Sequence, residues 1–214
     1  MHVEPLVVSD YQENTFLIWD EETMRGVVLD PGDEAPRIIA EIHRLGIKPE
    51  AILLTHGHSD HIGAVGGVKE EFDIPVYIGS GEEELLTDPT KNLSAAFGLN
   101  ITSPPADHLL KDGDTLEIAG FTFNILATPG HSPASICYLS DKTIFCGDVV
   151  FMGSIGRTDL PGCNHDLLMQ SLTEKILPLD DSVFLYPGHG PATTVGRERM
   201  TNPFLLQLQS TTYK

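Results

Sequence analysis

The chain is short of positive charge: 13 Lys and Arg stand against 31 Asp and Glu, for a formal net charge of -18. A surface of that sign repels phosphate backbones, which excludes nucleic acid as the expected substrate or partner. Cysteine is scarce as well. Cys137, Cys146 and Cys163 are odd in number and lack CxxC spacing, so reduced thiols are expected rather than a disulfide framework or a thiolate zinc knot. No apolar run is long enough to cross a bilayer, and Met1-His2-Val3-Glu4-Pro5 lacks the basic and apolar regions of a signal peptide. A cytoplasmic protein without a membrane partner is therefore expected. What is present, 214 residues of which 41% are hydrophobic, suffices for one core, and a single domain over residues 1–214 is expected. The sequence sets no oligomeric state.

Histidine is where the sequence is dense. Thr55-His56-Gly57-His58-Ser59-Asp60-His61 places four metal-competent side chains within six positions. Ala51-Ile52-Leu53-Leu54 before it is a short, bounded apolar run and reads as a buried strand. Ile62 to Val68 after it is small and apolar and reads as a closely packed helix. The cluster thus sits where a strand gives way to a helix, the edge at which open α/β sheets bind ligands. Alternate residues of an extended segment point the same way, so His56, His58 and Asp60 can converge, while the turn into the helix brings His61 from another side. Imidazoles and a carboxylate suit zinc, iron or manganese. Four donors crowded into one loop hardly close around a single ion, so the spacing hints at two, and further ligands must come from elsewhere.

Around the cluster the chain alternates. Residues 3–8, 14–19 and 26–29 read as strands, the third ending in the turn Asp30-Pro31-Gly32-Asp33. Ala35 to Leu45 has helical spacing with Gly46 as its C-cap. Residues 75–79 form another strand, Glu82-Glu83-Glu84 reads as the solvated face of a helix turn, and 88–108 as a loop with a short helix beside the active site. Residues 115–118 pair with 121–127, and 135–139 with 143–146, as hairpins. Asn164 caps a helix, 183–186 is a last strand, and an amphipathic helical tail from Gly196 is interrupted at Pro203. Two mixed sheets with helices outside account for this order; periodicity alone does not choose them over a three-layer sandwich.

Three further strand ends carry metal-type residues: Thr128-Pro129-Gly130-His131, Gly147-Asp148 and Pro187-Gly188-His189-Gly190. Each has a small residue beside the ligand, which lets backbone approach a crowded centre. With the cluster they make seven candidate ligands. His2, His43, His108 and His165 match no such position and are read as ordinary.

The pattern HxHxDH, then PGH, then GD, then PGHG resembles that of the metallo-β-lactamase superfamily. It is most similar to the small glyoxalase-II-like hydrolases that lack a C-terminal helical domain, and the resemblance extends to Gly156-Arg157-Thr158-Asp159-Leu160-Pro161-Gly162 and to the ending 190–198. The resemblance implies an α/β fold of the αββα sandwich type with a two-metal groove. His56, His58 and His131 would hold one divalent ion, Asp60, His61 and His189 the other, and Asp148 would bridge them. Zinc is the first expectation, with iron or manganese as alternatives. Asp30 resembles a carboxylate that orients ligands, although a turn-forming Asp is an equal reading.

In the chemistry so implied, two close ions share a water and lower its pKa toward about 7, and the hydroxide attacks an acyl carbonyl polarised by one ion. Asp60 and Asp148 are the carboxylates counted as catalytic. A thiolate leaves without a strong general acid, so a thioester, small and anionic, is the expected substrate. Arg157, whose planar fork suits a carboxylate, is the candidate for substrate binding, and an ion pair with Asp159 is the competing reading. The rival function is the persulfide dioxygenase branch of the same superfamily, with one iron held by His56, His131 and Asp148.

Overall fold

The computed structural model describes residues 1–211. It begins with β1 (His2–Val8), β2 (Glu13–Trp19) and β3 (Arg25–Leu29). Helices and strands then alternate as α1 (Ala35–Leu45), β4 (Lys48–Leu53), α2 (Ser59–Ile62), α3 (Val65–Phe72), β5 (Val76–Gly79), α4 (Glu83–Thr87), a 3-10 turn at Ser94–Phe97, and β6 (His108–Leu110). The second half runs β7 (Thr115–Ile118), β8 (Phe121–Ala127), β9 (Ile136–Ser140), β10 (Thr143–Gly147), β11 (Val150–Phe151) and β12 (Ser154–Ile155). It ends with α5 (His165–Ser171), β13 (Phe184–Pro187), β14 (Thr193–Thr194), α6 (Val195–Thr201) and α7 (Pro203–Thr211).

Strands β1 to β6 form one sheet in chain order, antiparallel through β3 and parallel from β3 to β6. The second sheet has the order β14-β13-β10-β9-β8-β7, with β10 and β13 parallel and the other pairs antiparallel. Alternation along the strands divides their side chains among three cores. Phe16, Ile18, Val27 and Leu53 of the first sheet meet Phe123, Ile125, Tyr138 and Phe145 of the second. Leu17, Val28 and Ile52 point the other way, onto Ile38 and Ile42 of α1 and Val65 and Val68 of α3. Cys137, Ile144 and Cys146 face Leu168, Leu172, Val195 and Leu205 across the second sheet. The architecture is therefore an αββα sandwich of two mixed sheets. β2 is buried at every position because both of its faces are covered.

Local chemistry sets the helix ends. Pro36 stands in the first turn of α1, and Gly46 closes it in the left-handed conformation, its N–H on the carbonyls of Ile42 and His43. The Asn164 side chain accepts the Leu167 N–H at 3.1 Å and starts α5, as expected. The single helix expected after the histidine cluster is two, because the Ala64 N–H turns to the Pro31 carbonyl at 3.0 Å. Strands β11, β12 and β14 have no sequence signature, since two residues carry no periodicity, and β6 lies at the end of the segment read as a loop. Cys137 and Cys146 are buried free thiols and Cys163 is a half-buried one. Among the described residues no helix is long and apolar enough to cross a membrane.

Candidate metal centre

One edge of the sandwich collects the ends of strands from both sheets. The histidine cluster follows β4, His131 follows β8, Asp148 follows β10 and His189 follows β13. Asp30 lies just past β3 and Glu82 just past β5, while Glu13 opens the antiparallel β2 at the same edge. Side chains from distant parts of the sequence thereby meet in one place.

All seven predicted ligands are brought together. Donor atoms of His56, His58 and His131 lie within 4.8 Å of one another, and so do those of Asp60, His61 and His189. Asp148 stands between the groups. Its Oδ2 is 3.5 Å from His131 Nε2 and 3.6 Å from His189 Nε2, and its Oδ1 is 3.5 Å from His61 Nε2. His58 Nδ1 and His131 Nε2 approach to 3.0 Å, and Asp60 Oδ2 is 3.3 Å from His189 Nε2. The buried His56 Nε2, His61 Nε2 and Asp148 Oδ1 have no hydrogen-bond partner. Leaving such atoms unpaired is costly, whereas divalent cations would satisfy them. Oxygen and imidazole donors in two groups joined by one carboxylate therefore fit a pair of ions.

The far sides of the rings explain which nitrogen faces inward. His131 Nδ1–H donates to the Arg157 carbonyl at 2.9 Å and His189 Nδ1–H to the Tyr11 carbonyl at 3.1 Å. A carbonyl only accepts, so whenever either ring is neutral its Nε2 is the bare lone pair. The Thr55 hydroxyl donates to Asp30 Oδ2 at 2.6 Å and so accepts from His56 Nδ1 at 3.1 Å. Asp30 is fully buried; it also accepts the Thr55 N–H at 2.7 Å and stands 3.1 Å from His61 Nδ1. Of its two sequence readings, the orienting carboxylate is the one the geometry matches. His58 differs from the other four in presenting Nδ1. Asn14 Nδ2 donates to the carbonyls of Pro187 and Gly190 and fixes the His189 turn. A Cβ at Gly188 would fall on Asp148 Oδ1 and the His61 ring, so the small residue beside this ligand is required by space.

Electrostatics separates the two groups. Burial and then the neighbouring imidazoles hold His56 well below its ordinary pKa, and burial with His131 pushes His58 down to about 3. Burial also works against a charged His61, but Asp148, Asp60 and Asp30 outweigh it and hold that ring well above the usual value. His189 is likewise raised, by Asp60 and Asp148 against its burial. Burial opposes a charged Asp148 too, yet His61, His131 and His189 keep its carboxyl well below the usual range.

The solvated-face reading of Glu82-Glu83-Glu84 is wrong for its first member. Glu82 is fully buried. Its Oε2 accepts the Gly57 N–H at 2.9 Å, and its Oε1 accepts the Ser132 hydroxyl at 2.8 Å and the Ala134 N–H at 2.6 Å. One carboxylate thus ties the loop of His56 and His58 to the loop of His131. Burial raises its pKa, and the three donors offset part of that. A run of three glutamates hides which one is buried; the signal available was its place just beyond a strand at the ligand edge. Glu13, also missed, is fully buried with its Oε1 3.8 Å from His61 Nδ1, and burial raises its pKa strongly.

A groove of about 350 Å3 opens over the centre. His58, Asp60, His131, Asp148 and His189 lie in its floor, and Tyr11, Leu93, Phe97, Phe151, Ile155 and Leu160 supply apolar surface. Arg157 lines it too, but its fork is occupied: Nε and Nη2 donate to the two carboxylate oxygens of Asp159 at 2.8 and 3.0 Å. What Arg157 gives the centre directly is its backbone carbonyl, on His131. The other four histidines lie apart: His2 beside Glu21, His43 beside Glu71, His108 stacked on Tyr77 and His165 beside Thr158.

The family model described as the metallo-β-lactamase superfamily matches residues 8–189. The chain belongs to this superfamily. Hydroxyacylglutathione hydrolase GloC of Haemophilus influenzae is 38% identical over 213 residues, covering 96% of this chain and 98% of that protein. Among solved structures, the BLEG-1 B3 metallo-β-lactamase superposes with a TM-score of 0.92 at 44% identity, covering 95% of this chain and 99% of its own. TTHA1623 in a di-iron-bound form gives 0.84 at 40% identity, over 95% of this chain and all (100%) of that one. ETHE1 from Myxococcus xanthus gives 0.80 at 28% identity, over 99% and 91%. These superfamily neighbours share the sandwich, and the di-iron form shows that a fold this similar accommodates two ions.

Proposed function

We propose that this metallo-β-lactamase superfamily member is a two-metal hydrolase of thioesters acting in the reducing cytoplasm. The observation that carries the reading is the paired donor set: two histidine-rich groups sharing Asp148, with inward atoms that no protein group satisfies. In this reading His56, His58 and His131 would hold one ion, Asp60, His61 and His189 the other, and Asp148 would serve both. Zinc is the ion we assign first, with iron or manganese as alternatives. Bound there, two ions would supply hydroxide at neutral pH and polarise the acyl carbonyl.

The residues around the centre do the rest. Asp30, Thr55 and the carbonyls of Tyr11 and Arg157 orient the imidazoles, and Glu82 keeps the two ligand loops in register. Asp60 and Asp148 supply the negative charge that offsets two cations. The groove receives the substrate, and its apolar lining limits the access of water. A thiolate leaving group needs no strong general acid. The GloC relative, named for a glutathione thioester, supports this class.

The second reading, a persulfide dioxygenase with one iron on His56, His131 and Asp148, draws on the likeness to ETHE1. Against it stands the second group, which is as fully assembled as the first and has the buried, unpartnered His61 Nε2 at its heart. Metal analysis with turnover of S-lactoylglutathione and glutathione persulfide side by side tests the choice. Two ions and thioester cleavage support the hydrolase; one iron and oxygen consumption with the persulfide overturn it.

A further inference from the structure

One wall of the groove is built by the segment after α4, and Asn92 is its anchor. Fully buried, Asn92 donates through Nδ2 to the carbonyls of Leu85 at 3.0 Å and Ile101 at 2.9 Å, and its Oδ1 accepts the Ser94 N–H at 3.1 Å. Its own carbonyl accepts the N–H of Ser59, which lies between His58 and Asp60, at 3.1 Å. The wall is therefore joined to the ligand loop. With Asn92 fixed, Leu93 is held at φ 72° and ψ −4°. Glycine or asparagine fills that left-handed region readily, and a branched side chain rarely does. Strain of this kind persists only where the surroundings over-determine it, and it gathers at ligand clamps. What it secures here is the largely buried Leu93 side chain in the groove lining.

Other features agree. Phe97 is 59% exposed in the groove mouth, its ring 6.3 Å from that of Tyr11. Phe151, Ile155 and Leu160 add apolar surface from a separate segment. Among the described residues, and apart from the candidate metal ligands, the lining includes one cation, Arg157, which is paired with Asp159. A substrate rich in carboxylates finds no unpaired cation there away from the centre, whereas an apolar group finds surface to bury.

We infer that this wall reads the acyl group: the substrate is a thioester of an uncharged, apolar acid, with Leu93 and Phe97 as specificity-determining residues. The inference rests on the hydrolase reading and names its substrate class.

The test uses the zinc-loaded full chain with N-acetylcysteamine thioesters of acetate, butyrate and hexanoate, and with S-lactoylglutathione. The expected result is a kcat/KM at least about tenfold higher for hexanoyl than for acetyl, since each methylene buried against the wall adds to binding, and higher for hexanoyl than for lactoylglutathione. Phe97→Ala and Leu93→Gly should each shrink the hexanoyl-to-acetyl ratio severalfold; Phe97 is exposed, so Phe97→Ala folds and carries the test, and Leu93→Gly, which deletes a buried side chain, is read beside its circular dichroism. Calorimetry should show hexanoate binding more tightly than acetate, a reading independent of turnover. Thioester cleavage with a flat dependence on acyl length, or a preference for lactoylglutathione, overturns this inference and leaves the hydrolase standing. No cleavage of any thioester overturns both.

Discussion

Glu82 Oε2 lies 2.9 Å from the backbone nitrogen of Gly57, the residue between His56 and His58, while Oε1 of the same carboxylate holds Ser132 and Ala134 just beyond His131. The three histidines of the first group therefore depend on one buried acid that is not itself among them. Glu82→Ala leaves the Gly57 and Ala134 N–H groups unpaired, at about 1–3 kcal/mol each. We expect zinc affinity to fall about 10–100-fold and the melting temperature by roughly 5–10 °C. Glu82→Gln, which keeps one acceptor oxygen, should lie between. Chelator competition on the folded variants checks this; a lowered melting temperature with unchanged zinc affinity would reduce Glu82 to a structural role.

Asp148→Asn keeps the shape of the side chain that spans the two groups and removes its charge. Two dications repel, and an anion between them makes their approach tolerable. The variant should lose one ion or its tight binding, and thioester turnover should fall at least about 10²-fold with circular dichroism unchanged. Two tightly held ions and near-normal turnover would remove Asp148 from the bridging position.

Much of this was legible in the sequence because metal chemistry needs rare residue types at strand ends, and strand ends show in apolar runs. The cluster from His56 to His61, together with His131, Asp148 and His189, could be read that way, and the structure brings all seven residues together. Asp30 could be read only as a choice between turn and orienting carboxylate, since its contacts with Thr55 and His61 join residues 25 and 31 positions apart. Glu82 was hidden by its two acidic neighbours, and Glu13 by an ordinary strand start. The β11–β12 hairpin is too short for any pattern. Whether Arg157 faces a substrate or Asp159 is a matter of rotamer, which sequence does not specify.

Proton release should distinguish the two groups. Asp148 and Asp60 raise the pKa values of His61 and His189 in the metal-free protein, whereas burial and neighbouring imidazoles lower those of His56 and His58. An ion entering the Asp60, His61 and His189 group competes with protons, and its affinity should weaken as pH falls. An ion entering the other group should feel this less. Calorimetry in buffers of different ionisation enthalpy counts the protons; equal release in the two binding phases would contradict the assignment.

His58→Ala and His189→Ala separate the two enzyme readings. Both residues belong to the proposed two-ion set, and neither belongs to the His56, His131 and Asp148 triad of the one-iron alternative. In the hydrolase each substitution should cost tight binding of an ion and most of the turnover. Full activity in both variants beside a dead His131→Ala would favour the single iron.

The most direct measurement is a titration of the metal-free protein with zinc while thioester hydrolysis is followed. The account predicts that activity requires the second equivalent: little turnover up to one ion per chain, then a rise that levels off at two, with Asp148→Asn failing to complete it. Full thioester turnover at one ion per chain, or none at two, would contradict it.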